Sequence, residues 1–588
     1  MKHILYFWMI LVSLAGCSTL DSGLNADGRL VQVDDILTGA PQTLAAVIEL
    51  NGKPALLYAT KDNRITFQYG DQRQKLDATA PVTGGTSYQL HAADQKLLAL
   101  WWSHQDGKNL YASLSNDKGK SFTPTGIVNI SNGVLPTYKV LRGPQDTLGA
   151  VYLDEREPGY EAFFNRSSDF GATWGRPDQR LDTTPKTQRN SVQEPQAVES
   201  GSVWFAAWSD VESTANGIGY RILGRRSEDA GQHWSEPEVI YRPQKFISSL
   251  TVRALGNTIV IAGDELGRGI FAVTSNDQGR NWMDSGFVTG SDFKPGQDNT
   301  SNSGVDVALT QGRAHVVWMQ DRGAIKTHIM RAAVDTVQGK WLSGAQRLDI
   351  KEYENTRSIL PTTMVSSRGV IWTAWVDYRD IRPNIYLSYS LDNGVMWSHP
   401  KSLMQPGAVS AGFPRFYRWG KDVALGYEVY PADRQLEGSF ILTKLSVGED
   451  AQVVPALFGP AALTDAERKA KLEQRINALW KARVNGDYDF AYDVFDFAYK
   501  AVVAKKTYVG DAGAITYQSF NVEDVAVAGP EATVKMKTKY EIKPTYLPSG
   551  KPIKLEPIEV ELTNTWVWVG NDWYLMYTPA YGQPHLRY

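Results

Sequence analysis

Acids and arginines recur at one kind of place in this chain. Asp154-Glu155-Arg156, Asp321-Arg322 and Asp377-Tyr378-Arg379-Asp380 each follow an apolar stretch rich in β-branched and aromatic residues. A guanidinium is a planar fork of N–H donors that grips a carboxylate with two parallel hydrogen bonds. Two readings are open. In one, these loops point into a pocket mouth and hold an anionic or polar ligand, with Asp154, Arg156, Asp377, Arg379, Arg382 and Arg415 as candidate catalytic or binding residues. In the other, an Asp-x-Arg at the same point of two segments is a salt bridge or turn encoded by a repeat. The repetition favours the second, because a catalytic residue is usually needed once. Arg382 and Arg415 occur singly and stay candidates for an anion pocket. The eight His show no metal-binding spacing, and no Gly-rich phosphate cradle precedes a helix, so neither metal nor cofactor is expected.

One further side chain carries reactive chemistry, the single cysteine. Lys2 opens a short positive start, and Ile4 to Leu14 is apolar apart from Ser13. That run is too short to span a bilayer and long enough for an export signal. It ends in Leu14-Ala15-Gly16-Cys17, which resembles the bacterial lipobox. The resemblance implies a signal peptide over 1–17, diacylated (palmitate-type) Cys17 as the mature N-terminus, and a tether over 18–27. Lipid on Cys17 would make the membrane a partner without a transmembrane helix. Ser18 stands where an inner-membrane retention signal carries Asp, so the expected location is the cell envelope, the outer membrane ahead of the inner. With Cys17 acylated, no thiol is left for a disulfide or for catalysis.

The elements that must position these residues come from a repeat. Ser-x-Asp-x-Gly-x-x-Trp occurs around Asp169, Asp229, Asp277 and Asp392, and a copy around Asp117 ends in Phe122. A decayed copy is read at Asp335, Gly339 and Trp341. The Asp closes a tight turn by accepting backbone N–H bonds, the Gly supplies a positive φ, and the Trp buries a ring against a neighbouring sheet. Alternating strands such as Val203-Trp204-Phe205-Ala206-Ala207-Trp208 flank the boxes. The repeats look like the Asp boxes, or BNR repeats, of bacterial sialidases. The resemblance implies a mainly β fold: a sialidase-like β-propeller over 28–449, with eight blades preferred and seven possible. It also implies that Asp117, Asp169, Asp229, Asp277 and Asp392 make turns away from any active site. The last blade lacks an outer strand, which Arg29 to Leu37 is expected to supply.

Sialidases use a Tyr nucleophile assisted by Glu, an Asp acid/base and three Arg around a carboxylate. Their Phe/Tyr-Arg-Ile-Pro motif is absent, and Phe413-Pro414-Arg415 has a different order. The expectation is therefore an anchored envelope lipoprotein that binds a glycan, peptide or envelope protein without catalysis. The alternative is an exo-acting glycoside hydrolase with a diverged mouth. A net charge of -3 argues against nucleic acid as a partner. The 18 Trp and 28 Tyr suit sheet cores better than sugar-stacking platforms.

After a linker over 450–463, the pattern changes. Thr464-Asp465-Ala466-Glu467 is a capping-box signature, Leu472, Ile476, Leu479 and Trp480 keep helical spacing, and Gly486 is a stop. A second helix is expected near Tyr488 to Lys500. Extended segments follow near 516–527, 531–543, 552–569 and 572–579, with Asn571-Asp572 as a turn. This order, ending in Trp566-Val567-Trp568, resembles a nuclear-transport-factor-2-like α+β cone over 464–588.

Overall fold

The computed structural model describes residues 31–37, most of 45–447 and most of 464–576. Cys17, the 18–27 tether and the 450–463 linker lie outside the described residues, as do Arg322 and the side chains of Asp380 and Arg382.

The chain is mainly β and β-propeller-like. From Ala46 to Val447 it lays down eight small antiparallel sheets in sequence order, each a meander. The third, for example, runs Val134–Arg142, Leu148–Glu157, Gly159–Ser167 and Gln179–Arg180. The eighth has three consecutive strands, Val409–Trp419, Asp422–Pro431 and Ser439–Val447. Its fourth is Val31–Leu37, which pairs antiparallel with Ser439–Val447 from Val31↔Val447 onward. The N-terminal strand thus covers what would be an open edge.

Apolar cores lie between the sheets. The second strands are buried on both faces and read as near-continuous apolar runs, as in Leu97 to Trp102 and Ile259 to Ala262. Eight clusters each join one sheet to the next. One joins Tyr417, Trp419 and Leu442 of the eighth sheet to Val47 and Tyr58 of the first, so the series closes on itself. Tyr417 also donates its hydroxyl to the Ala45 carbonyl at 2.7 Å. The first strands of successive sheets pack side by side around the inside of this ring.

The Asp boxes sit at the turn after the third strand. In the fourth sheet, Ser227 Oγ accepts from Gly231 N at 2.8 Å and donates to Asp229 Oδ1 at 2.9 Å. Asp229 Oδ1 also accepts from His233 N at 2.9 Å. The same Ser–Asp–Gly bonding recurs at Asp117, Asp169, Asp277 and Asp392. Gly231 has φ 82°, and a Cβ there would lie 2.3 Å from the Phe164 ring of the preceding sheet. The box therefore packs backward, with Trp234 edge-on to Phe164 at 5.1 Å. Asp335 departs from the reading above. It ends its strand opposite Arg313, at the Ser position of the other boxes, and itself caps the turn through Val337 N and Gln338 N.

Beyond the ring, helix α1 spans Asp465–Asn485. Thr464 and Glu467 form the reciprocal capping box, and Gly486 ends the helix at φ 75°. Leu472, Ile476, Leu479 and Trp480 bury one stripe of α1 against Val534, Met536, Trp566 and Trp573. The sheet behind them orders Ile515–Ala528, Glu531–Ile542, Ile558–Val569 and Asp572–Leu575 as neighbours. The second helix is shorter than expected: α2 spans Tyr488–Asp493, and an unexpected α3 spans Lys505–Ala512. Aromatic residues in this stretch mask the boundary, because Tyr492 and Phe495 pack onto Tyr508 of α3 whether or not the helix continues.

Candidate functional site

The acid–arginine clusters stand at the ends of second strands and turn inward. Asp154 has no exposed surface. Its Oδ2 accepts from Arg156 Nε at 3.0 Å and from the Ser131 hydroxyl. Arg156 also forks onto Asp178 (Nη1 to Oδ1 2.9 Å), which Tyr152 caps through its hydroxyl at 2.5 Å. The guanidinium lies 3.6 Å over the Phe163 ring. Burial raises the Asp154 pKa, while Ser131 and Arg156 hold it down.

The seventh sheet repeats the arrangement. Asp377 is fully buried. Its Oδ1 accepts from Arg379 N and Nε, both at 2.9 Å. Its Oδ2 accepts from Ser358 Oγ at 3.0 Å, Trp375 Nε1 at 2.9 Å and Arg379 Nη2. Arg379 covers the Tyr386 ring at 4.2 Å. Burial works against its charge, but Asp377 more than offsets this and the pKa is raised. In the fifth sheet, Glu265 is buried and accepts from Arg268 Nη1 at 2.9 Å and from Gln244 N at 2.8 Å, with Arg268 4.6 Å over Phe287. The same device thus occurs in three sheets: a buried acid, an arginine folded back onto it, and an aromatic ring beneath. Asp154, Arg156, Asp377 and Arg379 are engaged within their own sheets and do not meet across the ring. A Tyr–Glu contact does exist: Tyr241, on the outer strand of the fourth sheet, donates to Glu265 of the fifth at 3.3 Å, and Arg268 is the guanidinium beside it.

Arg415 behaves differently. It lies on the first strand of the eighth sheet, its side chain is exposed, and it hydrogen-bonds the Tyr417 hydroxyl. Strand alternation explains its neighbours. On the first strands, residues facing the ring's inside are polar and part-solvated, while those beside them are buried between sheets. Gln89 lies between Tyr88 and Leu90, Lys139 follows Tyr138, Arg253 follows Val252, and Asp306 lies between Val305 and Val307. Lys139, Arg253, Asp306 and Arg415 all sit two to four residues before the first hairpin turn of their sheets.

Two of these groups are tied down. Arg253 Nη2 meets Asp306 Oδ1 at 2.6 Å. Asp306 Oδ2 also accepts from Thr363 N at 3.0 Å and Thr362 Oγ1 at 3.2 Å on the seventh sheet. Lys139 is partly buried. That burial, with Arg253 and Arg415 adding repulsion and Asp306 opposing it, brings its pKa down to about 8. Arg253 and Arg415 thus act on Lys139 from two other sheets with Asp306 opposing them, and Glu428 acts on the Tyr417 hydroxyl that Arg415 bonds. Sequence reading found Arg415 and missed Lys139, Arg253 and Asp306. Their signal was one polar residue between apolar neighbours on each blade-initial strand. Among the described residues, no group of three or more His, Cys, Asp or Glu is arranged to hold a metal ion.

No protein-family model matches the chain, and no curated protein matches it. Solved structures similar to it include the polysaccharide lyase Uly1, at 10% identity over 71% of this chain and 99% of that one, with a TM-score of 0.40. The NanB sialidase from Streptococcus pneumoniae is similar at 8% identity over 70% and 94%, with a TM-score of 0.34. The α-L-arabinanase of Penicillium chrysogenum is similar at 12% identity over 63% and 94%, with a TM-score of 0.34. These neighbours are β-propeller folds of glycan-acting enzymes.

Proposed function

We propose that this protein is an envelope lipoprotein, anchored by lipid on Cys17, whose ring binds a glycan without catalysis. In this reading the eight sheets are eight blades of one propeller, and the part after the linker is a nuclear-transport-factor-2-like domain offering a second contact surface. One observation carries the non-catalytic reading. The acids at the second-strand ends are buried and held by arginines of their own sheets, so they are closed to a substrate. The channel keeps cationic side chains in contact with solvent, which suits holding a ligand.

The test has two arms. Purified full-length protein in detergent is assayed for hydrolysis of a fluorogenic sialoside and a panel of other glycosides, and for retention on immobilised glycans. Retention without turnover supports the proposal. Robust turnover that is lost in Asp377→Ala or Arg415→Ala refutes it and establishes the hydrolase alternative. In cells, labelling with an alkyne fatty acid is expected in the membrane fraction and is expected to vanish in Cys17→Ser.

A further inference from the structure

We infer that Leu360 and Phe413 form a sugar-stacking ridge on the inner wall of the ring, for a neutral glycan built of flat pyranoses with equatorial hydroxyls. This rests on the glycan-binding reading above and names the class of sugar. The carrying observation is a bulge repeated in three successive sheets. The first strands of the sixth, seventh and eighth sheets break register between Ser303 and Asp306, Ile359 and Thr362, and Gly412 and Arg415. One residue in each bulge is left-handed: Gly304 at φ 62°, Leu360 at 54° and Phe413 at 55°. Gly takes this conformation freely. In Leu and Phe it crowds Cβ against a carbonyl oxygen, and Pro361 and Pro414 press the residue before them toward extended backbone. Both side chains are thus held against backbone strain, and both are half exposed, Leu360 at 46% and Phe413 at 48%. Strain of this kind collects at sites that hold ligands.

The bulges abut one another. A Cβ on Gly304 would lie 3.6 Å from Pro361 Cδ, which joins the sixth-sheet bulge to the seventh. Thr362 and Thr363 bond Asp306 across the same seam. The first strands of the seventh and eighth sheets also pack side by side, with Leu360 and Phe413 at equivalent positions. An innermost strand is covered on both flanks by its neighbours, so its exposed side chains face the inside of the ring. The surroundings then select the ligand. A phenyl ring beside a branched alkyl group is an apolar strip. Thr362 and Arg415 follow two residues on, Glu428 stands opposite Gly412, and the Tyr430 hydroxyl lies 3.5 Å from where a Cβ on Gly412 would be. A wholly apolar partner would leave those polar groups unpaired, and an anion would meet Glu428 and Asp306. A pyranose with equatorial hydroxyls carries C–H groups on its faces and hydroxyls around its edge, which matches both the strip and its border.

The test is calorimetric titration of the full chain in detergent with cellohexaose, mannohexaose and acetyl-tryptophanamide. Cellohexaose is a flat β-linked glucose chain, whereas each ring of mannohexaose has an axial hydroxyl that breaks one C–H face. Cellohexaose is expected to bind saturably, and mannohexaose about threefold more weakly or worse. Phe413→Gly is expected to weaken cellohexaose binding about tenfold. Its ligand-free melting is expected within about 2 °C of the parent, because the strain leaves with the ring. Phe413→Tyr keeps the ring and is expected to bind as the parent does, as is the control Lys469→Gln on the exposed face of α1. No cellohexaose binding, binding untouched in Phe413→Gly, or equal binding of the two hexaoses overturns the inference. So does a Phe413→Gly protein that melts far below the parent, since the ring then serves packing. Phe413-dependent binding of acetyl-tryptophanamide in place of cellohexaose overturns it and assigns the ridge to a peptide. Silence with cellohexaose while another immobilised glycan retains the protein overturns the inference and leaves the glycan reading standing. Cellohexaose bound through Phe413 and also hydrolysed keeps the ridge and removes the non-catalytic reading.

Discussion

Replacing Arg379 with Met separates a structural ion pair from a ligand-facing one. The change removes two charge-assisted hydrogen bonds, from Nε and Nη2, to a carboxylate with no exposed surface. Asp377 then keeps three neutral donors: Arg379 N, Ser358 Oγ and Trp375 Nε1. Hydrogen bonds to charged groups contribute about 1.5–3 kcal/mol each, so the loss sums to about 3–6 kcal/mol. The remaining donors keep part of the charge solvated, and Met retains some packing on Tyr386. A destabilisation of about 3–4 kcal/mol is expected, at the lower end of what breaking a buried pair costs. Urea unfolding followed by tryptophan fluorescence reads it directly, because Trp372 and Trp375 lie in the affected sheet. The double change Asp377→Asn with Arg379→Met is expected to recover about 1–2 kcal/mol, since no charge is then stranded. Glycan retention, normalised to folded protein, is expected to stay unchanged in both. The reasoning fails if Arg379→Met unfolds at the parent's urea midpoint while ligand binding is abolished.

Three further outcomes follow from the same geometry. Gly231→Ala forces a Cβ onto Phe164 and strains a φ of 82°, so it is expected to cost about 2–4 kcal/mol in the same urea assay. Burial raises the Asp264 carboxyl to about 6, with Glu265 adding to it against Ser248 and Asn302. Its contribution is present below the unfolded value near 4 and is lost as pH rises through 6, so Asp264→Asn is expected to gain about 2 kcal/mol over the parent at pH 8 and almost nothing at pH 4. Asp117 is held down at about 2 by Ser121 and Ser115; Asp229 and Asp277 reach about 2 because hydrogen bonds from His233 and Asn281 outweigh burial. These depressed carboxyls contribute stability above about pH 4 that is lost as pH falls toward 2. An acid titration of the melting temperature therefore falls steeply in that window and less steeply in the Asp117→Asn variant.

Local chemistry was legible in the sequence because it is short-range. The Ser, Asp and Gly of each box bond to one another within five residues, so spacing alone located those turns. Thr464, Glu467 and Gly486 declared both ends of α1 for the same reason. The strand from Val31 was also legible, since the eighth sheet ran out of chain and needed a fourth strand. Other features depended on what the fold brings close. Gly231 is required twice over, and the second requirement comes from Phe164 in another sheet. The residues before the box glycines, Lys118, Phe170, Ala230 and Gln278, adopt left-handed φ although their types do not ask for it. Asp154-x-Arg156 looked the same in sequence whether it faced a ligand or its own sheet. Only burial and the rings of Phe163 and Tyr386 decided that. Lys139, Arg253 and Arg415 lie more than a hundred residues apart, and nothing local links them. The sequence by itself determined the turns and the alternation of the strands, since those follow from neighbours along the chain. Ring closure brought Arg253, Arg415 and Asp306 within electrostatic reach of Lys139, because charge acts through space and only the tertiary structure sets those distances.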